Sequence, residues 1–130
     1  MSLPAGTAGS PGAISSAVEA LARTDIAYLM ENPSTPALGR SGVKYRHDHE
    51  TRETWASIPE ILEKGTADCK SLSAWRIAEL RRLGYPAVPR VTNCKNSTFS
   101  LGCGSHYHIS VLATIAGRAV LFDPSKELGM

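Results

Sequence analysis

Long apolar runs, a large surplus of one charge and paired cysteine motifs are all missing from this sequence of 130 residues. No apolar stretch approaches the roughly 20 residues of a membrane-spanning helix, so we expect no membrane partner. Fourteen basic against twelve acidic residues leave a net charge of +2. That balance is too even to predict a nucleic-acid or membrane surface. The first residues show no basic stretch followed by an apolar segment, so we expect no secretion signal.

Cysteine is scarce, with only Cys69, Cys94 and Cys103 in the chain. An odd number fits a reducing compartment better than a disulfide framework, so we expect a cytoplasmic protein. The remaining composition, 42% hydrophobic and 20% charged, is ordinary for a globular protein with a single core. Residues 1–12 are rich in Gly, Pro, Ala and Ser and predict a flexible arm. Residues 13–130 then form one domain.

Two helices are predicted ahead of the first cysteine. One opens at Ser10-Pro11 and stops at Asn32-Pro33, because proline is tolerated in a first turn and disfavours helix in the residue before it. The other covers residues 58–64, where Ser57 and Glu60 have the spacing of a capping box. A short strand is predicted at residues 43–46, and the polar run HDHE at residues 47–50 reads as a solvated loop.

Cys69 stands at the start of a third predicted helix, residues 69–83. Asp68 is a suitable N-cap, and Gly84 suits the left-handed residue that follows a helix. Unpaired N–H groups and the helix dipole at that end favour a thiolate, which is the nucleophilic form of cysteine. We therefore expect a lowered thiol pKa and a nucleophile, with the Cys69 N–H as an oxyanion donor. The alternative is that Cys69 is a small buried hydrophobic residue.

A β-hairpin is predicted near the C-terminus. HYHISVLAT at residues 106–114 and RAVLF at residues 118–122 have strand composition, and IAG at residues 115–117 predicts the turn. The hairpin brings His106 or His108 beside Asp123. A cysteine, a histidine and an aspartate so placed have the nucleophile, base and orienting roles of acyl-transfer enzymes. Residues 87–92 predict a further strand, and Pro89 places it at a sheet edge or a bulge.

Two stretches of the chain resemble the transglutaminase-like superfamily. The first is residues 55–88, with GTADC at 65–69, an amphipathic helix and LGYPA at 83–87; the second runs from HISV at 108–111 through FDPS at 122–125. The resemblance implies a papain-like α+β fold, in which the cysteine helix packs on a small antiparallel sheet. It also implies a catalytic triad of Cys69, His108 and Asp123 that acts on an amide through a thioester. Hydrolysis is expected rather than acyl transfer, since nothing indicates a dedicated amine site.

The ending DPSKELGM at residues 123–130 is similar to small phage- or prophage-encoded members. We therefore expect a bacterial or phage-infected cell, a peptide or protein amide as substrate, and a phage or host protein as partner. One departure concerns Ala67, where members usually carry Gly. A methyl group there restricts the approach to the thiol and favours the alternative function, a non-catalytic binding or phage assembly module that keeps the fold.

Supporting roles are assigned to three further residues. His106 competes with His108 as the base, because residues two apart on a strand share a face. We favour His108, which begins the apolar run and has the family's spacing to Asp123, and we place His106 in the substrate cleft. Trp55 either lends its indole N–H to an oxyanion or packs the short helix, and packing is the favoured interpretation. Asp68 supports the site as the N-cap of the cysteine helix.

A metal site is the remaining alternative for the ligand-type residues Cys94, Cys103, His106 and His108. Structural zinc sites usually show tight Cys-x-x-Cys pairs, and none is present. We therefore expect no metal and no cofactor. The loop at residues 93–104 has the length of many functional loops, so it either covers or opens the predicted cleft.

Overall fold

The computed structural model describes residues 2–4, 11–46, 52–93 and 107–130. In this part of the chain four helices and seven short strands form a mixed α+β structure, which confirms the predicted class at this level. The helices are α1 (Pro11–Glu31), α2 (Ile58–Lys64), α3 (Cys69–Arg82) and α4 (Pro124–Glu127). The strands are β1 (Ser2–Pro4), β2 (Lys44–Tyr45), β3 (Arg52–Thr54), β4 (Thr66–Ala67), β5 (Ala87–Asn93), β6 (Tyr107–Ile115) and β7 (Arg118–Phe122).

The three predicted helices form where the local signals place them. α1 ends at Glu31, ahead of Asn32-Pro33, and α2 has both hydrogen bonds of the predicted capping box. α3 ends at Arg82, one residue earlier than predicted, and Gly84 has a φ of 93°. A left-handed residue after a helix is the usual reason for glycine at that position. The helix prediction is therefore confirmed to within a residue.

Part of the predicted arm, residues 1–12, has regular structure. Ser2–Pro4 pairs antiparallel with Arg52–Thr54, and α1 already begins at Pro11. The composition of residues 1–12 carries no information on this pairing, because the two strands are about fifty residues apart in the chain. Long-range pairing of this kind is decided by the tertiary structure.

The main sheet is antiparallel with strand order β5-β6-β7, and Pro89 lies on an edge strand as predicted. β6 and β7 form the predicted hairpin, in which Ile115 pairs with Arg118. The turn is shorter than the predicted residues 115–117. It consists of Ala116 and Gly117, with φ values of 52° and 75°. Positive φ at both residues is typical of the two-residue type I′ turn, whose twist matches that of the strands.

α3 is the central helix and buries two sides. One side packs through Ala74 and Ile77 against α1 and the inner face of the sheet, including Ile109 and Val111. The other side packs through residues such as Trp75 against the region around α2. Burial on both sides explains the wide apolar arc of this helix. None of the described helices is long and apolar enough to cross a membrane.

Candidate active site

Cys69 is the first residue of α3, and the start of this helix lies against the edge of β6. Ile109 lies opposite Val91 of β5, but the pairing of β6 with β7 ends at Val111, so on that side the backbone of Ile109 is open to α3. The Ile109 carbonyl accepts a hydrogen bond from the Ser73 hydroxyl at 3.0 Å, and Ile109 and Cys69 belong to the same apolar cluster. The Ile109 N–H acts to lower the pKa of the Cys69 thiol. Cys69 and Ser73 lie one helical turn apart on α3. The thiol is therefore held next to the residue that directly follows His108.

His108 and Asp123 are in contact, as predicted from the hairpin. Extended by one pair, the register places Asp123 opposite Ser110, so His108 meets Asp123 diagonally, from the next position on the same face of β6. Nε2 of His108 lies 2.8 Å from Oδ2 of Asp123, and both side chains are largely buried. An ionised Asp123 accepts a hydrogen bond from Nε2–H, which leaves Nδ1 as the basic nitrogen of the ring. Nδ1 is buried and has no hydrogen-bond partner among the described residues. The pair thus has the geometry of a general base and its orienting carboxylate.

Asp123 is an ionised carboxylate in this arrangement. Burial by itself raises the pKa of Asp123, but the hydrogen bond and charge of His108 hold the pKa below its ordinary value. Its other oxygen, Oδ1, accepts the N–H of Lys126 at 3.4 Å and caps α4. The carboxylate therefore connects the histidine to the C-terminal helix.

The thiol of Cys69 differs from the sequence-based expectation. Cys69 is only 6% exposed, and burial raises the pKa of its thiol to about 12. The charge of Asp68 raises the pKa further, while Lys70 and the Ile109 N–H act in the opposite direction. The expected lowering of the pKa by the helix start is therefore corrected, because desolvation of the charged form outweighs it. The resting thiol is neutral at physiological pH.

Asp68, Lys70 and Trp55 form the surroundings of the thiol. Asp68 accepts the N–H of Ser71 at 3.2 Å, as an N-cap should, and also forms an ion pair with Lys70. The ammonium group of Lys70 lies 5.5 Å from the ring centre of Trp55. Trp55 is wholly buried in the same apolar cluster as Cys69, and its indole N–H has no partner among the described residues. Complete burial agrees with the favoured packing interpretation.

Tyr45 is a neighbour of the site that the sequence analysis missed. It lies on β2, which pairs parallel with β4, so that Tyr45 is opposite Ala67. Burial raises the pKa of the Tyr45 hydroxyl, and the charges of Cys69, Asp68 and Asp123 raise it further. The pairing with β4 places Tyr45 beside the residues that lead into Cys69. No local signal marks Tyr45, because it stands on a two-residue strand outside the region of resemblance.

Several residues of the sequence analysis lie outside the described part of the chain. They are Cys94, Cys103, His106, residues 47–50 and most of the loop at residues 93–104. Of the two histidines, His108 lies in the described part of the chain and contacts Asp123. Within the described ranges, no group of three or more His, Cys, Asp or Glu residues is arranged to hold a metal ion.

Comparisons of the chain with protein-family models, curated proteins and solved structures find no match. The function is therefore inferred from the residues of the site and their geometry.

Proposed function

We propose that this protein has a transglutaminase-like, papain-like fold and that Cys69 attacks a peptide or protein amide, with His108 as base and Asp123 as orienting carboxylate. One observation carries the proposal. His108 contacts Asp123 through Nε2 at 2.8 Å, while its buried Nδ1 remains unpartnered among the described residues. The next residue, Ile109, packs in the same apolar cluster as Cys69, and its N–H acts to lower the pKa of the thiol. These observations support a nucleophile, a base and an orienting group at the same end of β6.

The raised thiol pKa defines how the first step proceeds. A neutral thiol is a poor nucleophile, so the proton moves from sulfur to Nδ1 of His108 as the sulfur bonds to the acyl carbon. The acyl oxygen becomes negative and faces the first N–H groups of α3, which lack partners within the helix. The C–N bond then breaks, and the histidine returns the proton to the leaving amine.

The resulting thioester at Cys69 is resolved by water. His108 takes a proton from the water as its oxygen bonds to the acyl carbon, and the C–S bond breaks. The proton then returns to the sulfur, which restores the thiol and releases a carboxylic acid. Hydrolysis is proposed over transfer to an amine, because water is always present.

An activated ester tests this function without knowledge of the substrate. p-Nitrophenyl acetate should acetylate Cys69, and the product should be a thioester that hydroxylamine removes, located by peptide mass spectrometry. The double variant Cys94→Ser/Cys103→Ser should react like the wild type, whereas Cys69→Ala should not react. His108→Ala should slow the reaction about a hundredfold, which is the lower range for loss of a general base. Acetylation of folded protein only at other residues, or at an unchanged rate in His108→Ala, would refute the proposal.

The second candidate is a non-catalytic binding or phage assembly module with the same fold. The observation in its favour is the thiol itself, which is buried with a raised pKa. Ala67 is also buried two residues earlier, where family members usually carry glycine. A well-folded protein that forms no thioester at Cys69 would favour this candidate. For both candidates we propose a cytoplasmic location, supported by the odd number of cysteines, and a phage or host protein as partner.

A further inference from the structure

Tyr45 is held between the two chain segments that carry the proposed site. Its backbone N–H donates to the carbonyl of Leu128 at 2.9 Å, in the segment that follows Asp123. The N–H of the next residue, Arg46, donates to the carbonyl of Ala67 at 2.8 Å, just ahead of Cys69. Strand β2 is therefore hydrogen-bonded to both segments. These bonds place Tyr45 next to the segment that precedes Cys69 and the segment that follows Asp123.

The side chain of Tyr45 packs beside the proposed site. It is half-buried and packs against both apolar clusters, one containing Cys69 and the other containing Ala67. Its hydroxyl responds to the charges of Asp68, Cys69 and Asp123, and burial together with these groups raises the pKa of Tyr45. A hydroxyl in such surroundings stays protonated at physiological pH. It serves as a hydrogen-bond donor and not as a base.

The acidic groups that act on the hydroxyl differ in whether a cationic or hydrogen-bonding partner already neutralises them. Asp68 is paired with Lys70, and Asp123 is paired with His108. The remaining negative charge is the one that develops at Cys69 and at the acyl oxygen during attack. Neutral donors fixed beside developing charge stabilise the transition state, because they need no reorganisation when the charge appears.

We infer that Tyr45 is a fourth residue of the site, whose hydroxyl donates a hydrogen bond to the negative charge that develops at Cys69 and its acyl group. This inference rests on the proposed acyl chemistry. It assigns a donor that lies outside the three residues of the triad and outside the start of α3. It also gives the short strand β2 a role in assembling the site.

Tyr45→Phe tests the inference, because it removes the hydroxyl and keeps the ring that packs against both clusters. We expect acetylation of Cys69 by p-nitrophenyl acetate to slow at least tenfold, since loss of one such donor commonly costs about 10²–10³ in rate. The pH profile of the rate should move to higher pH, because the thiolate loses a donor. Tyr28→Phe is the matched control: it removes a hydroxyl from another half-buried tyrosine packed on the second cluster and should leave rate and profile unchanged.

A second variant separates donation from packing. Tyr45→Gln returns a donor at the cost of the ring, so its rate per folded molecule should exceed that of Tyr45→Phe if donation matters. If packing alone matters, Gln should be the slower variant, and the inference is wrong. A wild-type rate and pH profile in Tyr45→Phe would also overturn it while leaving the triad in place. Failure of the wild-type protein to acetylate at Cys69 would instead refute the proposed function, and this inference with it.

Discussion

Asp25, in the second half of α1, accepts a hydrogen bond from the N–H of Ile58, the first residue of α2, at 3.0 Å. The side chain is wholly buried, and its second oxygen has no partner among the described residues. Burial raises the pKa of Asp25 to about 7; the Ile58 N–H opposes this rise and the charge of Glu60 adds to it. Because α2 leads into β4 and Cys69, this contact connects α1 to the segment that carries Cys69.

The free energy of unfolding should therefore fall as pH rises from about 4 to about 7. In this window the folded protein holds a proton on Asp25 that the unfolded chain has released. With an ordinary value of 3.8 and a folded pKa of about 7, the loss is of the order of 4 kcal/mol. Asp25→Asn keeps an acceptor for Ile58 and should flatten this pH dependence in urea unfolding. The exposed Glu31→Gln should follow the wild type, and parallel profiles for wild type and Asp25→Asn would contradict the prediction.

The charges beside Cys69 should tune its thiol in opposite directions. Asp68 raises the pKa of Cys69 and Lys70 lowers it. Asp68→Asn should therefore speed alkylation of Cys69 by iodoacetamide several-fold at pH 8, and Lys70→Gln should slow it. Asparagine caps a helix about as well as aspartate, so α3 should lose less than about 1 kcal/mol of stability. Peptide mapping distinguishes alkylation of Cys69 from that of the other thiols. A change of the alkylation rate in the same direction in both variants would exclude this electrostatic explanation.

His108 and Asp123 should behave as one unit in the acetylation of Cys69. Asp123→Ala should slow the reaction, because it misorients the imidazole and removes the charge that stabilises its protonated form. The double variant His108→Ala/Asp123→Ala should then be little slower than His108→Ala alone. Folding is checked by circular dichroism, since Asp123 also caps α4. Additive losses of rate in well-folded variants would contradict the assigned triad. A larger loss of rate in His106→Ala than in His108→Ala would contradict it as well.

The hairpin turn contains a strained residue. Ala116 has a φ of 52°, a region that costs a residue with a side chain about 1 kcal/mol relative to glycine. Ala116→Gly should therefore raise the free energy of unfolding by up to about 1 kcal/mol, measured by denaturant titration. Ala119→Gly, at an exposed strand position three residues later, is the control and should lower it, because glycine weakens a strand. Equal effects of the two substitutions would contradict the turn assignment.

Metal removal should leave the protein folded. Among the possible ligands, Nε2 of His108 already contacts the Asp123 carboxylate. The sequence also has no Cys-x-x-Cys pair of the kind that structural zinc sites usually contain. EDTA should not change the melting temperature, and elemental analysis should find no stoichiometric zinc. One equivalent of zinc together with unfolding on chelation would assign Cys94, Cys103 and His106 to a metal site instead.

Much of the secondary structure was predictable from the sequence, because its signals act over a few residues. Asp68 and Gly84 mark the ends of α3, and Ser57 with Glu60 marks the start of α2. The contact of His108 with Asp123 was predictable for a similar reason. A hairpin joined by a short turn sets its own register, so residues at its open end meet without information from the rest of the chain.

The properties of the thiol were decided only by the tertiary structure. The start of α3 is visible in the sequence, but the packing that buries Cys69 and raises its pKa comes from segments distant along the chain. Tyr45 and Asp25 were missed for the same reason, since each acts on residues between about 20 and 80 positions away. Local patterns determined where the chemical groups stand along the chain. Burial and the charges brought near them determined how those groups ionise, because the cost of a charge depends on everything that excludes water from it.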